Sequence, residues 1–158
     1  ALDVALLHTP PEKGDWFLQQ KVLKEPILLA MPKAQAIALP TPADLQKQRW
    51  IADHAHLNLA ARARLLAACE QAGFQPDITF EVNGPLAALA CVEAGLGFTF
   101  IQQSLASRVA DNVSLVMLPW LPLEITLYAV WRKDDNRPLI QDLICALQKR
   151  NTLTQSLQ

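Results

Sequence analysis

The part of this chain that most constrains its fold is residues 81–103, EVNGPLAALACVEAGLGFTFIQQ. A run of β-branched and aromatic residues at 78–82 stops at the asparagine, glycine and proline of 83–85, and an almost wholly apolar segment follows. Proline suits the first position of a helix and glycine the left-handed residue that closes one, so Gly95 or Gly97 is expected to end this segment. The pattern predicts a strand, a helix and a second strand. The helix is expected to be buried on most sides, because it has almost no polar face.

Strand-like and helix-like segments alternate along the rest of the chain. The predicted strands are 2–7, 21–31, 49–52, 78–82, 98–101, 114–118 and 124–131, and the predicted helices are 58–72, 86–94, 104–109 and 139–153. Alternation of this kind indicates an α/β fold with mostly parallel strands, in which the segments near Trp50, Phe80 and Phe98 are expected to share one sheet. A break is expected near Lys24, and the prolines around Thr41 predict a loop.

The helix at 58–72 is predicted to bury one apolar face and to expose its opposite, more polar face to solvent. Leu59, Ala63, Leu66 and Cys69 fall at helical spacing and form the expected core face. All four tryptophans of the chain are expected to anchor the core or its boundary, and the three cysteines are expected to be buried as small apolar residues rather than paired. The cysteine list is Cys69, Cys91 and Cys145.

Composition excludes several classes of function. The chain has 158 residues, of which 51% are hydrophobic and 18% charged, with a formal net charge of -1. This profile is typical of a globular protein without a polyanion partner, so this stretch itself is not expected to bind DNA. No apolar run approaches membrane-spanning length, and no signal peptide is recognised, so no membrane partner is expected.

No motif indicates catalysis. The nucleophile elbow, the P-loop, the dinucleotide fingerprint and the zinc-protease motif are all absent, so we expect neither an enzyme nor a cofactor. The one tempting cluster is Asp53, His54 and His56, which precedes Asn58, the expected N-cap of a helix. A metal site there is disfavoured, because alternate residues converge on one metal only in a strand and no further Cys or His lies nearby. A polar loop in front of a helix is the simplest interpretation, and ligand contact is the other.

A second candidate site lies at the turn before the helix of the opening segment. The N–H groups at the start of a helix can bind an anion, and in open α/β sheets ligands gather at the carboxyl ends of strands. Asn83 is more simply interpreted as a helix cap than as a ligand-binding residue, with Gly84 beside it. Gln102 and Gln103 lie at the carboxyl end of another predicted strand, where a ligand contact is expected by the same rule.

Five short motifs, in order, resemble the effector-binding domain of LysR-type bacterial transcription regulators. They are LDVAL at 2–6, EPILLAMP at 25–32, DL at 44–45, AGFQP at 72–76 and VEAGLG at 92–97. After the last motif the family has a strand leading to a proline, one further residue and a serine. Ser104 stands at the serine position, and it is preceded by Gln102 and Gln103 in place of the family's usual proline and the residue after it.

The resemblance implies a type 2 periplasmic-binding-protein-like fold, with two α/β subdomains joined by crossing strands. The first subdomain would comprise 1–28 plus 119–158 and the second 32–115, with crossings near 29–32 and 116–119 that include Ala30, Pro32 and Leu118. On this map the chain is a fragment. The first subdomain is incomplete, and an exposed sheet edge would be open to association.

The resemblance further implies a cytoplasmic sensor that binds a small organic effector, expected to be an anion, in a cleft between the subdomains. The implied effector residues are Asp53, His54, His56, Asn58, Asn83, Gly84 and Gln102, and the implied dimer surface on the helix at 58–72 is Arg62, Leu65, Leu66 and Cys69. The intact protein would be a homodimer or tetramer and would bind DNA through a helix-turn-helix outside this stretch. The alternatives are a solute-binding protein of the same fold and an enzyme on the same scaffold. No catalytic motif supports the enzyme.

Overall fold

The computed structural model describes residues 3–10, 16–53 and 59–155, with side chains up to residue 149. The chain divides into two compact units. The terminal unit is formed by Ala1–Glu25 and Ile125–Gln158, and the central unit is Pro26–Glu124. The subdomain limits and crossings given by the family resemblance remain predictions.

Seven strands and four α-helices make up the described part of the chain. They are β1 (Val4–Leu7), β2 (Phe17–Pro32), α1 (Pro42–Gln46), β3 (Arg49–Asp53), α2 (Leu59–Gln71), β4 (Asp77–Val82), α3 (Pro85–Glu93), β5 (Thr99–Gln102), β6 (Val113–Val116), β7 (Glu124–Arg132) and α4 (Pro138–Gln155). Two short 3-10 helices, Lys33–Gln35 and Gln103–Arg108, complete the list. The predicted elements near 49–52, 78–82, 86–94, 124–131 and 139–153 are confirmed to within a few residues.

Two local predictions are wrong. β2 runs without a break through Lys24 as one strand of 16 residues. The prolines around Thr41 mark the start of α1 rather than a loop: the Thr41 side chain accepts the N–H of Asp44, and Asp44 accepts the N–H of Thr41, which is a complete capping box. The usual capping box has Glu or Gln at its fourth position, whereas this one has Asp44, a residue that is also common in turns, so the sequence pattern favoured a loop.

The terminal unit is a small antiparallel arrangement with one helix. β1 pairs antiparallel with β7, and β7 lies next to β2. α4 supplies Ile140 and Ile144 to a core completed by Val22, Ala129 and Trp131. Two predictions of burial are wrong in this unit, because Trp16 is 80% exposed and Cys145 is also exposed.

The central unit combines two kinds of strand pairing. The second half of β2 lies between β5 and β6, antiparallel to both, whereas β3 and β4 are parallel. Phe98 forms one isolated parallel bridge with Trp50. However, β3 and β4 make a two-stranded sheet of their own and β5 belongs to the other sheet, so the expectation of a single sheet holds only for the segments near Trp50 and Phe80. The expectation of mostly parallel strands is wrong, since three of the four strand pairings with a described register are antiparallel.

An aromatic cluster forms the core of the central unit. The Trp50 ring lies 4.9 Å from Phe100, 5.8 Å from Phe74 and 6.2 Å from Phe98, measured between centroids. Its Nε1–H donates to the Leu45 carbonyl over 3.1 Å, so the buried indole is satisfied. Cys69 is completely buried in the same cluster, and this burial raises the pKa of its thiol to about 11.

The two longer helices of the central unit bury different faces from those predicted. In α2, Leu65, Ala68 and Cys69 face the core and Leu59 is 68% exposed, so of the predicted core face only Cys69 is fully buried. In α3, Ala88, Leu89 and Val92 are buried, but Leu86 is 54% exposed, and the helix is therefore not buried on most sides. Nearly all-apolar helices give no signal that distinguishes their inner from their outer face.

Glycine is required where α3 returns to the sheet. Gly95 has φ +77° and closes the helix, as one of the two predicted glycines. Gly97 is needed for another reason: a Cβ on it would lie 2.6 Å from the carbonyl oxygen of Arg49. The backbone of 97–98 can therefore approach β3 closely enough to form the Phe98 N–H to Arg49 carbonyl bond of 2.9 Å.

Candidate functional site

Two parallel strands of the central unit end side by side. Asp53, the last residue of β3, is paired in register with Val82, the last residue of β4. The chain leaves β4 through Asn83 and enters α3 at Pro85. The carboxyl ends of adjacent parallel strands are where α/β sheets collect ligands, so we refer to the described residues Asp53, Arg62, Glu81, Asn83 and Gly84 as the strand-end cluster.

Asp53 closes the start of α3 from the neighbouring strand. Its Oδ1 accepts the backbone N–H of Gly84 over 2.8 Å. Gly84 is the N-cap residue with φ +90°, a conformation that glycine adopts without strain. Asn83 is therefore not the N-cap, and among the described residues no side chain caps α3 in the usual way. The structure thus brings together Asp53 and Gly84, two residues that the sequence analysis placed in one site.

Arg62, from the first turns of α2, joins the same cluster. Its Nη1 lies 2.6 Å from a carboxylate oxygen of Glu81 and donates to the Asp53 carbonyl over 3.4 Å. The Arg62 side chain is 21% exposed and that of Glu81 36% exposed, so both are reachable from solvent. The sequence analysis assigned Arg62 to a dimer surface and did not single out Glu81. Glu81 could have been identified from the sequence as a carboxylate one residue before the end of the predicted strand at 78–82.

Gln102 occupies the equivalent position on β5. It is the last residue of that strand and lies opposite Ile27 of β2, and its side chain is half-buried. Within the described part of the chain, no hydrogen bond joins it to Asp53 or Gly84. His54, His56 and Asn58 lie outside the described residues.

The cluster has the chemistry of binding rather than of catalysis. It holds one guanidinium, two carboxylates and the backbone of a helix start, without a nucleophile paired to a base. Across residues 3–10, 16–53 and 59–155, no group of three or more His, Cys, Asp or Glu side chains is arranged to hold a metal ion. The same residues include no helix long and apolar enough to cross a membrane.

The predicted dimer residues do not share one outer surface. Arg62 is engaged in the strand-end cluster, Leu65 packs against the aromatic core, and Cys69 has no exposed surface. Cys69 therefore gives no support to its predicted contact role, and the dimer surface stays a prediction. Leu66 is half-buried, and it lies about two helical turns after the exposed Leu59.

The predicted hinge residues all lie within the central unit. Ala30 is completely buried and pairs with Thr99 of β5 and Leu115 of β6. Pro32 pairs with Val113 at the end of β2, and Leu118 is 3% exposed. Their role as hinges stays a prediction.

Comparison with known proteins gives the fold and the family. The model of the LysR substrate binding domain matches residues 1–152. The HTH-type transcriptional regulator AlsR of Bacillus subtilis (strain 168) is 26% identical over 149 residues, which cover 90% of this chain and 48% of AlsR. The chain therefore spans about half the length of this curated relative.

Solved structures agree on the architecture. CbnR, a LysR family transcriptional regulator, has a TM-score of 0.78 at 17% identity, over 95% of this chain and 52% of CbnR. The reduced regulatory domain of OxyR2 from Vibrio vulnificus has a TM-score of 0.75 at 21% identity, over 95% of this chain and 72% of that domain. At these identities the likeness shows the fold, and it confirms the predicted type 2 periplasmic-binding-protein-like α/β class. Since the family model covers nearly the whole chain, this chain belongs to the LysR substrate binding domain family.

Proposed function

We propose that this chain is the part of a cytoplasmic transcription regulator that senses a small organic anion, and that the strand-end cluster and Gln102 form the effector rim. The observation that carries the proposal is the register of β3 and β4, which puts Asp53 beside the start of α3 and within reach of Arg62. Binding there changes the equilibrium between conformations of the domain rather than any covalent bond.

Two solved relatives support the two halves of this proposal. One is the regulatory domain of Synechocystis PCC6803 CcmR in complex with 2-PG, with a TM-score of 0.71 over 94% of this chain. The other is full-length CbnR complexed with its target DNA, with a TM-score of 0.79 over 95% of this chain. For the present protein, we propose that the full-length gene product binds DNA through a helix-turn-helix and that this domain supplies the response to effector.

The test is a pair of substitutions in the full-length gene product. A thermal-shift screen with small carboxylates and aromatic compounds first identifies an effector, and a promoter reporter then measures the response. Replacing Asn83 or Gln102 with leucine is expected to abolish the response while DNA affinity is retained, because the DNA-contacting module lies elsewhere. A response that survives both substitutions would show that the rim is wrongly placed.

We further propose that the regulator is a homodimer and that α2 contributes to the contact. The support is the outer side of α2, where Leu59 is 68% exposed and Ala63 is also exposed. Exposed apolar side chains at helical spacing are typical of a helix that packs on a partner. Leu59→Glu is expected to shift the full-length gene product toward monomer in sedimentation, whereas Arg64→Glu, also exposed on α2, serves as the matched control.

A further inference from the structure

Arg62 uses only part of its hydrogen-bonding capacity. A guanidinium carries five N–H donors in a planar fork that matches a carboxylate. The described contacts of Arg62 both involve Nη1, toward Glu81 and the Asp53 carbonyl. Nε and Nη2 have no partner among the residues that the structure describes. The side chain is thus held in place while one edge of its fork stays available.

The start of α3 is less available to an anion than Arg62 is. The sequence analysis assigned anion binding to the N–H groups before α3, but the Asp53 carboxylate already accepts the Gly84 N–H over 2.8 Å. A second carboxylate at that point would be repelled by the first. The cation of the cluster is therefore the better receptor for a negatively charged effector.

The ion pair between Arg62 and Glu81 is suited to exchange. Both side chains are partly exposed, and pairs of this kind contribute little net stability. Replacing the Glu81 carboxylate by a carboxylate of the effector keeps Arg62 paired throughout, so the exchange leaves no buried charge without a partner. Because Arg62 belongs to α2, the exchange also acts directly on that helix.

We propose that Arg62 is the effector-binding cation of this domain and that Glu81 holds it until an anionic effector takes its place. This inference rests on the proposed function, and it names a carboxylate-bearing small molecule as the ligand class. Glu81 is then an internal competitor of the effector. Weakening that competitor should make binding tighter, which a purely structural ion pair would not do.

Isothermal titration calorimetry on the full-length gene product tests the exchange, with propionate, lactate, succinate and benzoate as probes. Arg62→Gln is expected to weaken binding of the responding carboxylate by about tenfold to a hundredfold, the range for a charge-assisted hydrogen bond. Arg62→Lys should recover part of this loss, because it keeps the charge but not the fork. Binding by the wild type should weaken as salt is raised.

Glu81→Gln separates the proposal from a folding defect. It should tighten binding by roughly twofold to fivefold, the range for loss of a surface ion pair. Glu93→Gln, an exposed carboxylate at the end of α3, is the matched control and should leave affinity unchanged. A gain of affinity cannot come from misfolding.

Each remaining outcome would overturn the proposal. These are a carboxylate that binds Arg62→Gln as tightly as wild type, a Glu81→Gln variant that binds no better than Glu93→Gln, and a wild type that binds none of the four probes. In the last case the proposed function is still decided separately, because the thermal-shift screen covers further carboxylates and aromatic compounds and the reporter then tests the rim with the Asn83 and Gln102 variants.

Discussion

The two units of this chain bury their aromatic residues very differently. In the central unit, Trp50 and Phe98 are each at most 2% exposed and pack against further rings. In the terminal unit, Trp16 and Phe17 are 80% and 50% exposed, and Trp131 is the one described aromatic residue that belongs to the buried core. The central unit thus has the larger core of its own, and apolar area removed from water is the main source of folding free energy.

The difference shows that the terminal unit has more of its apolar surface exposed to solvent, where a partner could cover it. Exposed apolar residues of the terminal unit lie at the ends of two strands and on α4: they include Leu6, Leu7, Trp16, Phe17 and Leu18 on the strand side and Leu139 and Leu143 on the helix. A strand is normally covered on at least one face, and β1 exposes consecutive leucines, which point to opposite faces. We expect the central unit to resist unfolding more strongly than the terminal unit.

The largest effect is expected from Trp50→Ala. This removes a buried indole that contacts three rings and donates to Leu45, and it should lower the free energy of unfolding by about 3 to 5 kcal/mol. The measurement is urea denaturation followed by circular dichroism. Trp16→Ala is the control and should change stability by less than about 0.5 kcal/mol. Equal losses would contradict the difference between the units.

A smaller effect is expected from Gly97→Ala. The added methyl would lie 2.6 Å from a backbone oxygen of Arg49, which cannot move aside as a side chain would. Overpacking of this kind costs about 1 to 3 kcal/mol, and it should separate the 97–98 backbone from β3. Hydrogen exchange should show faster exchange of the Phe98 amide. An unchanged midpoint of unfolding would show that the backbone at Gly97 does not need to lie this close to the Arg49 carbonyl.

Two aspartates, one in each unit, should titrate below their ordinary range. The Thr41 side chain lowers the pKa of Asp44 in the central unit, and Arg137 lowers that of Asp135 in the terminal unit, in each case mainly through a side-chain hydrogen bond. Because both folded-state values are lowered, each contact stabilises the fold above the ordinary value of 3.8 and is lost as pH falls through the lowered value.

Carboxyl NMR titration can distinguish the two contacts. Thr41→Ala should return the Asp44 pKa toward its ordinary value without moving that of Asp135, and Arg137→Gln should do the reverse. The two carboxylates have different hydrogen-bond partners, so the two pKa values are expected to change independently. A variant that moved both pKa values would contradict this independence.

The smallest effect on stability is expected from replacing exposed apolar residues of the terminal unit. Trp16→Ser together with Phe17→Ser should leave the unfolding midpoint nearly unchanged, because both side chains are largely in solvent. Self-association should fall, since exposed apolar patches promote it. Light scattering over a concentration series measures this. A large loss of stability would show that these residues pack on a surface of the chain itself.

The success of sequence-based prediction also differs between regions. The unit of strand, helix and strand around α3 was predictable because Pro85 and Gly95 act locally on the backbone. The exposed face of α3 and the core face of α2 were not, because alanine and leucine occur on both sides of each helix and only tertiary packing selects between them. The predominance of antiparallel pairing was also missed, since alternation of elements does not specify the direction in which strands pair.

The candidate site was predictable in part for the same reason. Asp53 and Gly84 were identified as residues that follow strands, and the parallel register of β3 and β4 brings them together. Arg62 was assigned to another surface, because a helix position in a sequence does not reveal that its long side chain reaches back to Glu81. The actual N-cap, Gly84, was missed because asparagine is the commoner cap residue.

Amide hydrogen exchange of the full-length gene product, with and without the effector found by the screen, tests the central claim most directly. An effector bound at the rim should slow exchange at 52–53, at 82–88 and at Gln102, with little change in α4. Slowed exchange confined to α4 and β1 of the terminal unit, with none at these strand ends, would contradict the account.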